Sequence, residues 1–378
     1  MLDYISKFEN VYFITSYNKK YNNYDTLGKL KNILPNVNFM MYDYRTSAFK
    51  EYEILRKLYR LLGLRIRYGS SKYNALATAP LADITPGFIK YILDIIHKHN
   101  INIIQIEFLG FHHLVYSLPS HIKTIFIHHE LGWVRRELTY GDDIYSSFIS
   151  AYLKDDEIST LNRFDIIVAL TEVDKLKLIK AGIHTRLEVS TLAISNKTQP
   201  FTKNKYIGKL TFIGGSGHYP NFDGIKWFVE FVLPLVEKLQ SKTILEVIGN
   251  WSEESIKSIK SINKNVDFKG FVDDLGQYIK NSIMIVPINI GSGMRMKILE
   301  AANYSIPFVS TSIGAEGLDF INGRDCFITQ SPEEMADAIS KLISDDKLYE
   351  MMSENVHNVF VEKYSIDSLG KKRLSLYK

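Results

Sequence analysis

Residues 286–318, VPINIGSGMRMKILEAANYSIPFVSTSIGAEGL, lead from an apolar run through a glycine loop into a segment of helical period. Gly291 and Gly293 let the backbone turn tightly, so that free amides point toward an anion at the start of the helix. Arg295 and Lys297 add two positive charges at the same place. The stretch therefore predicts a strand, loop and helix of an α/β sheet, with an anion site at the loop.

Glu300 lies further along the predicted helix, among apolar neighbours. A carboxylate without a partner is costly in such surroundings, so we expect it to accept hydrogen bonds. The diol of a ribose is a suitable donor pair. The alternative is an ion pair with Lys297, three residues earlier on the same helix face.

The same strand and helix pattern recurs along the chain. Short runs rich in Val, Ile and Phe alternate with segments of helical period, which predicts parallel sheets. The predicted strands are 11–14, 37–41, 101–108, 124–128, 166–169 and 187–190, then 210–213, 244–248, 266–268, 284–287, 308–310 and 326–328. Helices are predicted over 86–99, over 172–181 and, from a capping box at Ser331 and Glu334, to about 344.

A chain of 378 residues exceeds the size at which a single core keeps growing, so two domains are expected. The polar, aperiodic segment 192–206 predicts a linker between a domain over 1–191 and another over 207–364. Residues 365–378 fit a helix that crosses back to the first domain. Two doubly wound α/β domains would bind ligands in the cleft at the carboxyl ends of their strands.

Composition narrows the classes of protein that fit. Hydrophobic residues at 46% and charged residues at 23% are ordinary for a soluble protein. Cys326 is the sole cysteine, which excludes an internal disulfide and favours a reducing compartment. The amino terminus does not fit a signal peptide, and no run of about 18 apolar residues occurs. These features predict a cytoplasmic protein.

Positive charge is concentrated in residues 49–72, although the net charge is only +4. Lysines and arginines alternate there with Leu, Ile and Tyr, a pattern typical of a basic amphipathic surface that contacts anionic lipid on the inner face of a membrane. The alternative is a solvated helix face that packs on its own domain. Nucleic-acid binding is not expected, since no recognised module accompanies the charge.

A second glycine loop follows the first predicted strand of the second half, in residues 212–228, FIGGSGHYPNFDGIKWF. It is either a phosphate-binding loop or a simple strand-to-helix turn. Together with VDFKGFVDDL (266–275) and residues 286–318, it resembles family 4 retaining glycosyltransferases of the GT-B fold. Fainter similarity extends to the first half, in IQIEFLGF, IFIHHELGWVRRE and FDIIVALTEVDKLKL.

This resemblance implies a function. The first domain would bind a glycan or lipid-linked acceptor, and the second a nucleoside-diphosphate sugar, for bacterial surface-polysaccharide assembly. Glu300 corresponds to the second glutamate of the family's E-x7-E motif, which binds the ribose, while Ser292 stands where the first glutamate would be. Arg295 and Lys297 would neutralise the leaving diphosphate. Further donor-binding candidates are Gly214, Gly215, Ser216, Asn221, Gly291, Ser292 and Gly293.

His128 and His129 end the predicted strand TIFIHH, and one of them faces the cleft because successive strand residues alternate. The resemblance implies that one orients the acceptor hydroxyl or the donor hexose. The alternative is a strand-end histidine whose hydrogen bonds are satisfied within the protein.

No D-x-D triplet occurs, and the resemblance implies a reaction without a metal or other cofactor and without a protein nucleophile. Two other functions remain open: a non-catalytic subunit that binds a sugar nucleotide, favoured by Ser292, and a sugar-nucleotide epimerase of the same fold.

Overall fold

The computed structural model describes residues 1–16, 23–43, 84–133, 144–193, 199–239, 243–291 and 293–378. Contacts divide the chain into two units. The first comprises Met1–Leu170, Lys175–Ser190 and Arg373–Lys378, and the second comprises Thr171–Asp174 and Thr191–Lys372.

The first unit contains two parallel sheets. One pairs β1 with β2, and the other has the order β3-β4-β5-β6. The strands are β1 Val11–Ser16, β2 Val37–Tyr42, β3 Ile103–Glu107, β4 Lys123–His128, β5 Ile166–Ala169 and β6 Arg186–Val189. The helices described are α1 Leu2–Ile5, α2 Asn23–Ile33, α3 Pro86–His99, α4 Ile144–Leu161 and α5 Glu172–Ala181, with a 3₁₀ helix at Leu109–Ser117. Phe126 and Ile167 of the four-stranded sheet are fully buried in the core of this unit.

The second unit is built on a six-stranded parallel sheet of order β12-β11-β10-β7-β8-β9. Its strands are β7 Lys209–Ile213, β8 Ile244–Ile248, β9 Val266–Gly270, β10 Ile283–Val286, β11 Phe308–Thr311 and β12 Phe327–Thr329. Counted from β7, the order is that of a dinucleotide-binding fold, in which the direction of winding reverses between the first and fourth strands. The carboxyl ends of β7 and β10 therefore form the switch point where such sheets bind ligands.

The helices of the second unit surround this sheet. They are α6 Tyr219–Trp227, continued by a π-helical turn at Phe228–Val232, α7 Leu233–Leu239, α8 Glu253–Ile262, α9 Leu275–Ile279, α10 Met296–Asn303, α11 Pro332–Ser344, α12 Asp346–Lys363 and α13 Ile366–Leu374. Arg373 and Leu374, the last residues of α13, and the 3₁₀ turn at Ser375–Tyr377 that follows belong to the first unit. Arg373, at the end of α13, donates from Nη2 to the Ser190 carbonyl at 3.1 Å.

The predicted strands are confirmed, with ends that differ by at most two residues from those observed. The capping box at Ser331 is correct only in part. Ser331 Oγ accepts from the Glu334 amide at 3.2 Å, but the Glu334 carboxylate accepts from the Gln330 amide at 2.8 Å instead of from the Ser331 amide. The carboxylate thus bonds one residue earlier than a capping box requires.

Two predicted segments fall wholly or partly outside the described residues. The basic segment 49–72 lies outside them, as do residues 194–198 of the predicted linker. From residue 199 onward the linker is bonded to the second unit. The Gln199 amide donates to Asn303 Oδ1 at 2.9 Å, and the buried Asn204 donates to the Ser305 carbonyl at 3.0 Å. Among the described residues, no helix has the length and apolar character needed to cross a membrane.

Candidate functional site

Both glycine loops lie at the switch point of the second unit, since one follows β7 and the other follows β10. Gly214 has a φ of +149°, and a Cβ there would lie 2.7 Å from Asn221 Nδ2. Gly291 has a φ of +109°. Side chains are disfavoured at both places, so glycine lets the backbone turn and lets Asn221 approach the first loop.

Asn221 connects the first loop to helix α10. Its Nδ2 donates to the Gly215 carbonyl at 3.0 Å, and its Oδ1 accepts from Lys297 Nζ at 2.8 Å. The side chain is buried. The ammonium of Lys297 is therefore held by a neutral amide, which positions the positive charge without neutralising it.

Lys297 also lies against an aromatic ring, with Nζ 3.9 Å from the ring centroid of Phe212. Burial, together with the nearby charge of Arg295, lowers the pKa of Lys297 to about 7, although the charge of Glu300 opposes this shift. An anion bound beside the ammonium would favour its charged form. The lysine is thus placed to bind a negatively charged group.

The carboxylate of Glu300 is half-buried on the same helix. Burial raises its pKa, and the charge of Lys297 opposes that shift. Within the part of the chain that the structure describes, the carboxylate has no hydrogen-bond or ion-pair partner. The alternative ion pair with Lys297 is not formed: Lys297 Nζ bonds to Asn221, and the two charges act on each other only at longer range.

Arg295 precedes α10 as its N-cap residue, and its Nη1 donates to the Gly293 carbonyl. Burial lowers the pKa of this guanidinium, although the charge of Glu316 opposes that effect. Ser292 lies outside the described residues. The guanidinium thus hydrogen-bonds the second glycine loop at the start of α10.

The rest of the first loop is held by residues that follow β8. Trp251 donates from Nε1 to the Gly214 carbonyl at 2.7 Å, and the Ser252 amide donates to Ser216 Oγ at 3.0 Å. These contacts fix the loop before any ligand binds.

In the first unit, His128 and His129 have different environments. His128 is buried, and its Nε2 lies 3.2 Å from Oε1 of the buried Glu157 on α4. His129 keeps 15% of its side chain exposed, with Nε2 3.1 Å from Oε2 of Glu107. Burial would raise the pKa of Glu107, but the hydrogen bond from His129, followed by smaller effects, lowers it. Of the two histidines, His129 is the more accessible.

Phe108 stacks on His129, with ring centroids 4.3 Å apart and planes at 12°. The ring of Phe108 is exposed and its φ is +68°, a conformation that bulky residues rarely adopt. Such strain is found mainly at functional positions. Phe108, Glu107 and Glu157 were not expected from the sequence as partners of the histidines. The position of Glu107 at the end of β3, which pairs with β4, was the signal for one of them.

The parallel sheets, the strand order of the second unit and the two loops at its switch point define an α/β protein of the GT-B fold class. Residues 208–345 match the family described as "Glycosyl transferases group 1". The second unit therefore carries a glycosyltransferase group 1 domain.

Known proteins resemble the chain at low identity. It is 23% identical over 229 residues to poly(ribitol-phosphate) alpha-N-acetylglucosaminyltransferase of Staphylococcus aureus. The matched region covers 58% of this chain and 45% of the relative. The chain thus spans about half the length of the curated relatives that it matches. The crystal structure of TarM from S. aureus is similar with a TM-score of 0.62 and 17% identity, over 77% of this chain and 57% of TarM.

HepE from Anabaena, crystallised in complex with UDP and glucose, matches along nearly the whole chain. The TM-score is 0.66 with 11% identity, over 97% of this chain and 99% of HepE. At such low identity these structural similarities establish the fold.

Proposed function

We propose that this protein is a family 4 retaining glycosyltransferase that transfers a sugar from a nucleoside-diphosphate sugar to a glycan or lipid-linked acceptor in bacterial surface-polysaccharide assembly. One observation carries the proposal: Lys297 and Glu300 lie at the switch point of a group 1 domain, each charge acts on the other, and neither side chain forms an ion pair among the described residues. A nucleoside diphosphate offers an anion to the first and hydroxyl donors to the second.

The diphosphate would lie against Lys297, Arg295 and the amides of the two glycine loops. Breaking the bond to the anomeric carbon leaves negative charge on this diphosphate, and fixed cations in a buried site stabilise that charge as it forms. The pKa of Lys297 rises as this negative charge grows, so the charged form of the side chain is favoured. No metal is required for this step in the proposed mechanism.

The ribose would lie against Glu300. An ionised carboxylate accepts charge-assisted hydrogen bonds from hydroxyl groups, each worth about 1.5–3 kcal/mol. Binding would also supply the partners that this half-buried carboxylate lacks among the described residues.

On the acceptor side, we assign His129 rather than His128 to substrate. His128 is engaged with a buried carboxylate, whereas His129 keeps exposed surface beside the Phe108 ring. An imidazole there orients a hydroxyl group by hydrogen bonding. Residues 49–72 are the segment that we propose contacts an anionic membrane.

The decisive experiment incubates the purified protein with UDP-, GDP-, ADP- and dTDP-sugars. We expect one donor class to bind and to be hydrolysed slowly without acceptor, and both effects to weaken in Glu300→Gln. The proposal is refuted if the protein binds none of these donors and hydrolyses none of them. Tight binding without turnover across lipid-linked acceptors would indicate a binding subunit, and isomerisation of the donor alone would indicate an epimerase.

A further inference from the structure

A cluster of two histidines and a carboxylate lies in the first unit beside β4, where the ring centroid of His112 is 6.4 Å from that of Phe126. His112 and His113 belong to the 3₁₀ helix Leu109–Ser117, and Asp156 lies on α4. One ligand-type atom from each of the three residues lies within 4.8 Å of those of the other two. Nε2 of His113 is 3.0 Å from Asp156 Oδ2, and Nε2 of His112 is 3.8 Å from the same oxygen.

The hydrogen bonding of His112 determines where its proton lies. Its Nδ1 bonds to the carbonyl of Leu109, which only accepts, so Nδ1 carries the hydrogen. In the neutral imidazole the other ring nitrogen, Nε2, carries no hydrogen. Nε2 therefore presents a lone pair.

This lone pair has no hydrogen-bond partner among the residues that the structure describes, although His112 is only 3% exposed. The atom that faces it is a carboxylate oxygen, which also only accepts. The carboxylate of Asp156 is 29% exposed, but the two acceptors still repel, and the unsatisfied buried nitrogen of His112 costs about 1–3 kcal/mol. A cation between them would remove both costs.

The arrangement matches what a zinc ion requires. Zinc binds imidazole nitrogen and carboxylate oxygen at about 2.0–2.2 Å, so tetrahedral ligand atoms lie about 3.4 Å from each other. The two measured distances, 3.0 and 3.8 Å, lie on either side of that value. Metal-bound histidines also commonly donate their other ring N–H to a backbone carbonyl, as His112 does to Leu109.

We propose that His112, His113 and Asp156 bind a zinc ion that connects the 3₁₀ helix to α4. Three protein ligands leave a fourth position for water. All three ligands belong to the first unit, whereas Lys297 and Arg295 belong to the second. The role of the ion is to stabilise the segments that surround β4.

The alternative is a metal-free contact in which His113 donates a hydrogen bond to Asp156. Two variants separate the interpretations. His113→Gln keeps a hydrogen-bond donor near Asp156 but removes the imidazole ligand, and Asp156→Asn removes the anionic ligand. His121→Gln, a change at an exposed histidine outside the cluster, is the matched control.

The test titrates the full-length protein, stripped of metal by a chelator, with Co²⁺ and follows the visible absorption of bound cobalt. We expect a single Co²⁺ ion per chain, displaced by Zn²⁺, and a higher melting temperature with Zn²⁺. Both cluster variants should bind Co²⁺ about 100-fold more weakly, while the control behaves as wild type. Absence of a protein-bound cobalt spectrum in wild type, or equal binding by the variants and wild type, would overturn the proposal.

Discussion

The charged groups of the two units are arranged in opposite ways. At β4 of the first unit each histidine lies beside a carboxylate, as His128 does with Glu157 and His129 with Glu107. At the switch point of the second unit, Lys297 is held by a neutral amide and Glu300 has no bonded partner among the described residues. The buried histidine–carboxylate contact of His128 serves the fold, whereas an ammonium and a carboxylate that form no ion pair are placed to bind a ligand with complementary groups.

The largest effect should come from breaking a pair in the first unit. His128→Ala removes a buried hydrogen bond to Glu157, which still accepts from the Gly132 amide at 3.4 Å, and leaves a cavity, so we expect unfolding to become easier by about 3 kcal/mol. His129→Ala is the matched comparison, because that pair is partly exposed and contributes less than about 1 kcal/mol. Thermal unfolding of the two variants measures the difference. Equal losses of stability would mean that burial does not distinguish the two pairs.

Removing a charge from the second unit should instead affect binding. In Glu300→Gln we expect the dissociation constant for the nucleotide to rise about 100-fold, since charge-assisted bonds to two hydroxyl groups are weakened. The unliganded protein should be equally stable or more stable, because burial disfavours the ionised carboxylate. Calorimetric titration with the donor identified in the screen measures the dissociation constant, and thermal unfolding measures the stability of the unliganded variant. Unchanged affinity in a folded variant would reject the ribose role.

The next effect concerns Lys297, whose protonation should make both the stability of the free protein and its affinity for nucleotide depend on pH. Its pKa is about 7 in the folded protein and about 10.4 in an unfolded chain. Between these values the unfolded state binds more protons, so the stability of the free protein should rise with pH across that window. Nucleotide binding requires the charged form, so affinity should fall about tenfold for each pH unit above 7.

The variant Lys297→Met tests this assignment. It should lower affinity about 30-fold at pH 7, through loss of a charge-assisted contact, and remove the slope of affinity above pH 7. Titrations between pH 7 and pH 9 measure it. A slope that persists in Lys297→Met would place the titrating group elsewhere.

The sequence predicted the strands, the two loops and the residues of α10 because these depend on local patterns of apolar residues and glycine. It did not predict the bonds that give the residues their electrostatic character. Asn221 and Lys297 are 76 positions apart, and His128 and Glu157 are 29 apart. Such contacts arise from strand order, which local periodicity does not specify. The three-residue spacing of Lys297 and Glu300 allowed an ion pair, but in the structure Lys297 bonds to Asn221 instead.

The smallest effect should come from giving Lys297 a carboxylate partner, like the partners that the histidines of the first unit have. Asn221→Asp preserves the shape of the side chain but places a carboxylate 2.8 Å from Lys297 Nζ, where a neutral oxygen now lies. This change should raise the pKa of Lys297 and weaken nucleotide binding about fivefold, because the new charge repels the diphosphate. It also removes the donor to the Gly215 carbonyl, a loss that Asn221→Ala shares. Asn221→Ala separates charge from contact, since it removes the hydrogen bond without adding a carboxylate. If Asn221→Asp binds nucleotide as tightly as wild type and keeps the same pH slope, then the neutrality of residue 221 is not what leaves Lys297 available to a ligand.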